Sequence, residues 1–218
     1  MSAKPEYTSS RSNGATVHSH DLPLEARLAG DRWAAGIRVP FGTASDRAEA
    51  TGRRRSAGGL GDIRLSGLVT AWRDDAGAQL DLGLKLRLPT GDVRRGMGTG
   101  AAQVAPVLEA SLPFGTAQTL DVTLERRING GGAGTGLRDH WYATLDLGHA
   151  LTPRVSVGVS VVAREASVRG GGPVLEIGPT LDLRLEQGWT LGLIAYAGTT
   201  RDSAAFGAGL TLSRRFRF

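Results

Sequence analysis

The chain has no cysteine, only 5 Phe, 4 Trp and 3 Tyr, and no apolar run that approaches the roughly 18 residues a membrane-spanning helix requires. The missing cysteine excludes disulfides and thiol chemistry and leaves the compartment open. The missing apolar run excludes a helical span. It does not exclude a membrane, because barrel strands carry apolar residues only at every second position and averaging hides them. The mean hydropathy of -0.14 is compatible with that arrangement. The opening MSAKPEYTSS has no apolar signal region, so an exported chain would be a mature or recombinant form. Net charge is +5 and the pI about 10.4. The arginines are scattered through strands and loops rather than gathered on one helix, so no nucleic-acid partner is expected.

What is present is alternation. In QLDLGLKLRLP, Leu80, Leu82, Leu84, Leu86 and Leu88 alternate with Asp81, Gly83, Lys85 and Arg87. In a strand, alternate side chains point to opposite faces, so one face here is leucine and the other charged. Alternation over about 9–11 residues is what a tilted strand needs to cross a bilayer, whereas most soluble strands are nearer 5–6. A row of five exposed leucines on a soluble sandwich or lipocalin-like binder would be an aggregation site unless a second sheet covered it.

The same motif recurs along all 218 residues, read here as one domain spanning 1–218. Residues 1–20 are poorly patterned and read either as partly disordered or as a first strand near Tyr7 to Arg11. Leu22 to Leu28 and Trp33 to Val39 form a hairpin across Gly30. Residues 42–59 read as a long polar loop. Strands follow around Ile63 to Ala71, the leucine stretch, Val104 to Leu112, Leu120 to Leu124 and Trp141 to Leu147. Val155, Val157, Val159 and Val161 make the next apolar face, followed by Leu175 to Leu185, Trp189 to Ala195 and a last strand from about Ala204. Pro106 is awkward in a paired strand. The expected fold is all-β: a single antiparallel transmembrane barrel, an up-and-down meander of about twelve strands.

Connections alternate between short turns (near Gly30, Gly77, Gly115, Pro153 and Gly188) and longer loops (near Arg54, Gly96, Gly132, Gly170 and Asp202). Outer-membrane barrels have short periplasmic turns and longer outer loops. Trp33, Trp72, Phe114, Trp189, Phe216 and Phe218 fall at the short-turn ends; Phe41, Trp141, Tyr142 and Phe206 fall at the long-loop ends, as two interfacial girdles would. Trp72 breaks parity with Val69 and Ala71 and reads as part of the turn.

The C-terminal strand, with Leu210, Leu212, Phe216 and Phe218 at alternate positions, resembles the signal by which barrel assembly machinery recognises outer-membrane proteins. Arg214 interrupts that face, near enough to the end to snorkel to headgroups. Gly59-Leu60-Gly61-Asp62-Ile63, then Leu84 to Asp92, then Gly98-Thr99-Gly100 resemble the "GLGD … LPTGD … GTG" pattern of outer-membrane transporters named for the MetA pathway of phenol degradation. The acidic residue usual in that family soon after GTG is replaced by Ala101, Ala102 and Gln103. The resemblance implies an outer-membrane barrel that passes small, aromatic or hydrophobic molecules. It brings no catalytic residues.

The expected lumen holds Glu25, Arg27, Arg38, Arg64, Asp81, Lys85, Arg87, Glu109, Asp121, Glu125, Asp146, Arg164, Glu176, Asp182 and Arg184. These either set the selectivity of a polar channel or pair across strands and fill a closed interior. Inner-face Gly36, Gly83, Gly158, Gly178 and Gly192 either leave room for a ligand or kink the strands. Arg53, Arg54, Arg55, Arg94 and Arg95 in the outer loops are candidates for lipopolysaccharide phosphates or simply solvated. PTGDVRRGMGTG is not a phosphate loop, lacking the GK[ST] ending and a following helix. Catalysis would need a nucleophile and a base in reach; Ser19, flanked by His18 and His20, is the one serine so placed, with His140 and His149 elsewhere. His18 and His20 share a strand face but lack an evident third metal ligand. No cofactor is expected. The alternative to a channel is a non-transporting structural or assembly barrel that contacts another protein; a further one, resting on Ser19 with His18 and His20, is an outer-membrane lipid hydrolase.

Overall fold

The computed structural model describes residues 1–12, 15–48, 54–131 and 136–216. The strands are β1 (Ser2–Ala3), β2 (Glu6–Ser12), β3 (Ala15–Ala29), β4 (Trp33–Ala48), β5 (Arg54–Leu60), β6 (Arg64–Arg73), β7 (Gln79–Arg87), β8 (Gln103–Phe114), β9 (Gln118–Asn129), β10 (His140–Ala150), β11 (Val155–Arg164), β12 (Val174–Arg184), β13 (Trp189–Gly198) and β14 (Phe206–Arg214). Neighbours in sequence pair antiparallel, and β14 closes the sheet on β1 and β2. The segments β1 and β2 run on as one strand, as do β5 and β6, so the wall is a closed barrel of 12 strands. The only helical pieces among the described residues are two 3-10 turns, Val93–Arg95 and Glu186–Gly188.

The barrel is inverted relative to a soluble fold. Leu82 and Leu84 are 43% and 52% exposed on the outer wall, and no second sheet covers them. Leu80, Leu86 and Leu88 share that face, as do Val155, Val157, Val159 and Val161 on β11. Among the described residues, the buried apolar side chains Ala34, Leu68 and Val107 form a cluster that lies inside. With both edges paired, no backbone ladder is left open, which a wall in hydrocarbon requires.

Several local readings change. Residues 42–59 are mostly strand: β4 continues to Ala48 and β5 begins at Arg54. This hairpin and the start of β3 stand beyond the apolar belt, where paired backbone needs no apolar alternation, so hydropathy could not reveal them. Trp72 is not in the turn. The β6–β7 register shifts between Thr70 and Trp72, and this bulge returns Trp72 to the outer face opposite Leu80. The β8–β9 ladder skips Ala105 and Pro106, because proline has no N–H to donate. Tyr142 sits at the outer end of its strand but faces the lumen, away from its neighbour Trp141. Arg214 faces outward with its guanidinium carbon 5.4 Å from the Trp189 ring and 4.8 Å from that of Phe216, a cation–π arrangement within the lower girdle. Phe218 and Arg53 lie outside the described residues.

Candidate functional site

Inner-face positions fall into register rows that cross the strands. One row runs Arg38, Arg64, Arg87, Gln103 and Asn129. The next but one runs Ala34, Leu68, Gly83, Val107, Glu125, Tyr142 and Arg164. Another contains Asp81 beside Glu109, and a further one Asp121 beside Asp146. The first of these rows gathers basic side chains toward the outer mouth, whereas Asp81, Glu109, Asp121 and Asp146 lie toward the periplasmic end.

The wall from β6 to β9 is tightly bonded. Lys85 Nζ donates to Glu109 Oε1 at 2.7 Å and to Glu125 Oε1 at 2.9 Å. Arg127 Nε donates to the other Glu125 oxygen at 2.7 Å, and its guanidinium carbon lies 3.7 Å from the Tyr142 ring centre. Arg87 donates to Asn129 Oδ1, which also accepts from Gln103. Glu125 is only 5% exposed, so each of its oxygens needs the cation it has. Asp81 accepts from Gln79. Arg184 Nη1 reaches the Pro153 carbonyl at the periplasmic turn.

Asp62, Thr90, Gly91 and Thr99, spread over three motif segments in the sequence, come together at one point. Asp62 Oδ1 accepts from the Gly91 amide at 3.0 Å, and Oδ2 accepts from the Thr99 amide and hydroxyl at 2.9 and 2.7 Å. Thr90 Oγ1 accepts from Ile63 N and donates to the Gly61 carbonyl. The loop between β7 and β8 is thereby folded over the mouth. A Cβ built on inward-facing Gly59 would lie 3.6 Å from Met97 Cγ, so Met97 rests on the inner side of the β4–β5 wall. Burial raises the Asp62 pKa, but the Thr99 and Gly91 bonds and the nearby Arg87 outweigh it and hold the carboxyl below its usual range. Ala101, where the family carries an acid nearby, is buried, with its carbonyl oxygen 3.2 Å from the Thr99 hydroxyl oxygen.

On the opposite side the lumen stays open as a cavity of about 500 Å³ between β1, β2, β4 and β10–β14. Arg38, Arg164, Glu176, Tyr142 and Tyr196 line it. Glu176 Oε1 accepts from the Ala204 amide, and Tyr196 donates to Glu6. Arg127, Tyr196 and Glu6 were not among the residues singled out from sequence, and Tyr142 was read there as part of the girdle rather than of the lumen. Extending the β9 alternation two residues beyond Glu125 would have placed Arg127 on the same face; nothing local marks Glu6.

Three of the inner glycines are not ligand space. A Cβ at Gly83, Gly158 or Gly178 would meet a neighbouring strand's carbonyl oxygen at 2.0, 2.5 or 1.7 Å. These positions let adjacent strands approach and bend. Ser19 points inward and bonds Thr8 Oγ1, while His18 and His20 point outward and flank Tyr7. Strand alternation thus separates the serine from both imidazoles. Among the described residues no group of three or more His, Cys, Asp or Glu could hold a metal.

The family model described as "Putative MetA-pathway of phenol degradation" matches residues 7–216. No curated protein matches the chain in sequence. An outer membrane channel from Pseudomonas putida F1 superposes with a TM-score of 0.77 at 16% identity, covering 99% of this chain and 94% of the other. The NanC porin gives 0.65 at 7% identity over 99% of both chains, and the KdgM porin in complex with disordered oligogalacturonate 0.61 at 8% over 100% of both. At such identities the likeness is one of fold. The closed barrel with an apolar outer belt, like these relatives, is a protein of the bacterial outer membrane.

Proposed function

We propose, on the premise that the chain belongs to the MetA-pathway family of phenol degradation, that the barrel is a narrow channel for small molecules, aromatic or hydrophobic ones among them. The observation that carries this reading is the lumenal cavity of about 500 Å³, within the usual size range of small-molecule sites and lined by both polar and apolar side chains. The channel and porin relatives of like fold support transport over catalysis. The lumenal charges Asp81, Lys85, Arg87, Glu109, Asp121, Glu125, Asp146, Glu176, Asp182 and Arg184 are then the selectivity candidates. Outer-membrane lipid and lipopolysaccharide surround the wall, and the last strand with Phe216 engages the assembly machinery.

The Ala34–Leu68–Val107 cluster, packed inside the wall, favours a second reading: a closed barrel that contacts another protein. Single-channel conductance of the refolded protein in planar bilayers separates the two, with heat-modifiable gel migration as the folding control. Stable conductance steps are expected. A folded, heat-modifiable barrel without conductance refutes the channel.

A further inference from the structure

We propose that the lumenal cavity is a binding site for a small organic anion, a carboxylate on an apolar body, anchored by Arg38 and Arg164. This rests on the channel reading and names the class of solute that the same lumen takes.

The cavity's acidic side chains are already engaged: Glu6 accepts from Tyr196, and Glu176 accepts from the Ala204 amide. Lys4 is within 3.5 Å of Glu25 Oε2. The two guanidinium groups are different. Nε of Arg38 and Nε of Arg164 are buried without a hydrogen-bond partner among the described residues. Buried polar atoms are almost always paired, and an unpaired donor costs free energy. Arg64 has Arg38, Arg87 and Arg127 as charged neighbours, with Asp21 beside both it and Arg38 and, on the Arg127 side, the acid Glu125. That acid is shared between Lys85 and Arg127. Asp21 lies near Arg38, and Glu176 and Asp202 lie near Arg164, yet none of these carboxylates bonds either Nε, so both donors are left without an acceptor in a space partly withdrawn from water.

A carboxylate is the group that answers this. Arginine presents paired donors in a plane that matches two oxygens, and such charge-assisted bonds are about twice as strong as neutral ones. Beside the polar Thr144, Ser160 and Thr211, the lining has an apolar side. Val162, Val174 and Ile194 offer apolar surface, and Tyr142 and Tyr196 add ring faces. The cavity thus pairs a cationic end with an apolar body, which fits benzoate-like acids better than neutral aromatics.

The test uses the full chain, refolded in detergent, with benzoate as ligand and benzamide as its neutral counterpart. Binding is read by calorimetry, and block of conductance is read in planar bilayers from the same preparation. Benzoate is expected to bind at least about tenfold more tightly than benzamide, from the charge-assisted bonds. Arg38→Gln and Arg164→Gln should each weaken benzoate about tenfold or more and leave benzamide unchanged, while Arg164→Lys keeps part of the affinity. Heat-modifiable migration confirms that each variant folds. Equal binding of the two ligands, or benzoate binding unaffected in folded Arg38→Gln and Arg164→Gln, overturns the proposal. Conductance steps without any effect of benzoate remove the anion site and leave the channel standing. Benzoate binding without conductance keeps the site and removes the channel.

Discussion

Replacing Asp62 by Asn should release the β7–β8 loop without unfolding the barrel. The carboxylate accepts three hydrogen bonds, from Gly91 N, Thr99 N and Thr99 Oγ1, in a side chain only 6% exposed. Bonds to a charged acceptor contribute about 1.5–3 kcal/mol each, and an orphaned buried donor costs about 1–3 kcal/mol. Asparagine keeps one acceptor oxygen and turns an NH2 toward at least one of these donors, so a loss of about 3–5 kcal/mol of local stability is expected. Asp62 sits at the β5–β6 junction of the wall, but the bonds it loses all run to the β7–β8 loop, so the change should appear as loop opening rather than global unfolding. Hydrogen exchange over residues 88–102 is the assay: protection should fall in the variant while the strands keep theirs. Conductance should become noisier or larger as Met97 leaves the β4–β5 wall. The pH dependence has a definite sign. Because the Asp62 pKa is lowered in the folded loop, the latch contributes fully above the ordinary carboxylate range, near 3.9, and is lost only as pH falls through the lower folded value. Unchanged exchange in Asp62→Asn, or wild-type loop release already at pH 5, would refute the reasoning.

Glu125→Gln should lower the chemical-unfolding midpoint much more than Glu109→Gln. Glu125 serves both Lys85 and Arg127 at 6% side-chain exposure, whereas Glu109 serves Lys85 alone at 25%; breaking a buried pair costs about 3–5 kcal/mol, a partly exposed one far less. Gly178→Ala should abolish heat-modifiable folding or sharply reduce its yield, since the new methyl would sit 1.7 Å from the Ala195 carbonyl oxygen. Ser19→Ala should leave any phospholipase background of purified protein unchanged in a fluorogenic lipid assay, because no imidazole shares the face of Ser19; a loss of activity would restore the hydrolase reading. Trp189→Ala should weaken refolding into bilayers measured by gel shift, because it removes one of the two rings that hold the outward Arg214 guanidinium.

The alternation of Leu80 to Leu88 and of Val155 to Val161, with short and long connections in strict turn, was enough to specify an outer-membrane barrel. Period-two patterning is local, and a lipid-facing wall enforces it on every spanning strand. Where that enforcement stops, so did the reading: the β4–β5 extension and the start of β3 lie beyond the belt and carry no apolar stripe. The face of each lumenal charge followed from the same parity, so Lys85, Glu109 and Glu125 could be assigned inward but not joined to one another. That three-way contact depends on which strands neighbour which, and in what register. The GLGD, LPTGD and GTG segments were visible as motifs, yet only the folded loop brings Asp62 to Gly91 and Thr99. Alternation along one strand determined which side of the wall each residue faces. Closure of the sheet decided which residues meet across the lumen and left the Nε donors of Arg38 and Arg164 without an acceptor beside an open cavity, because register, tilt and loop folding couple positions that no local pattern relates.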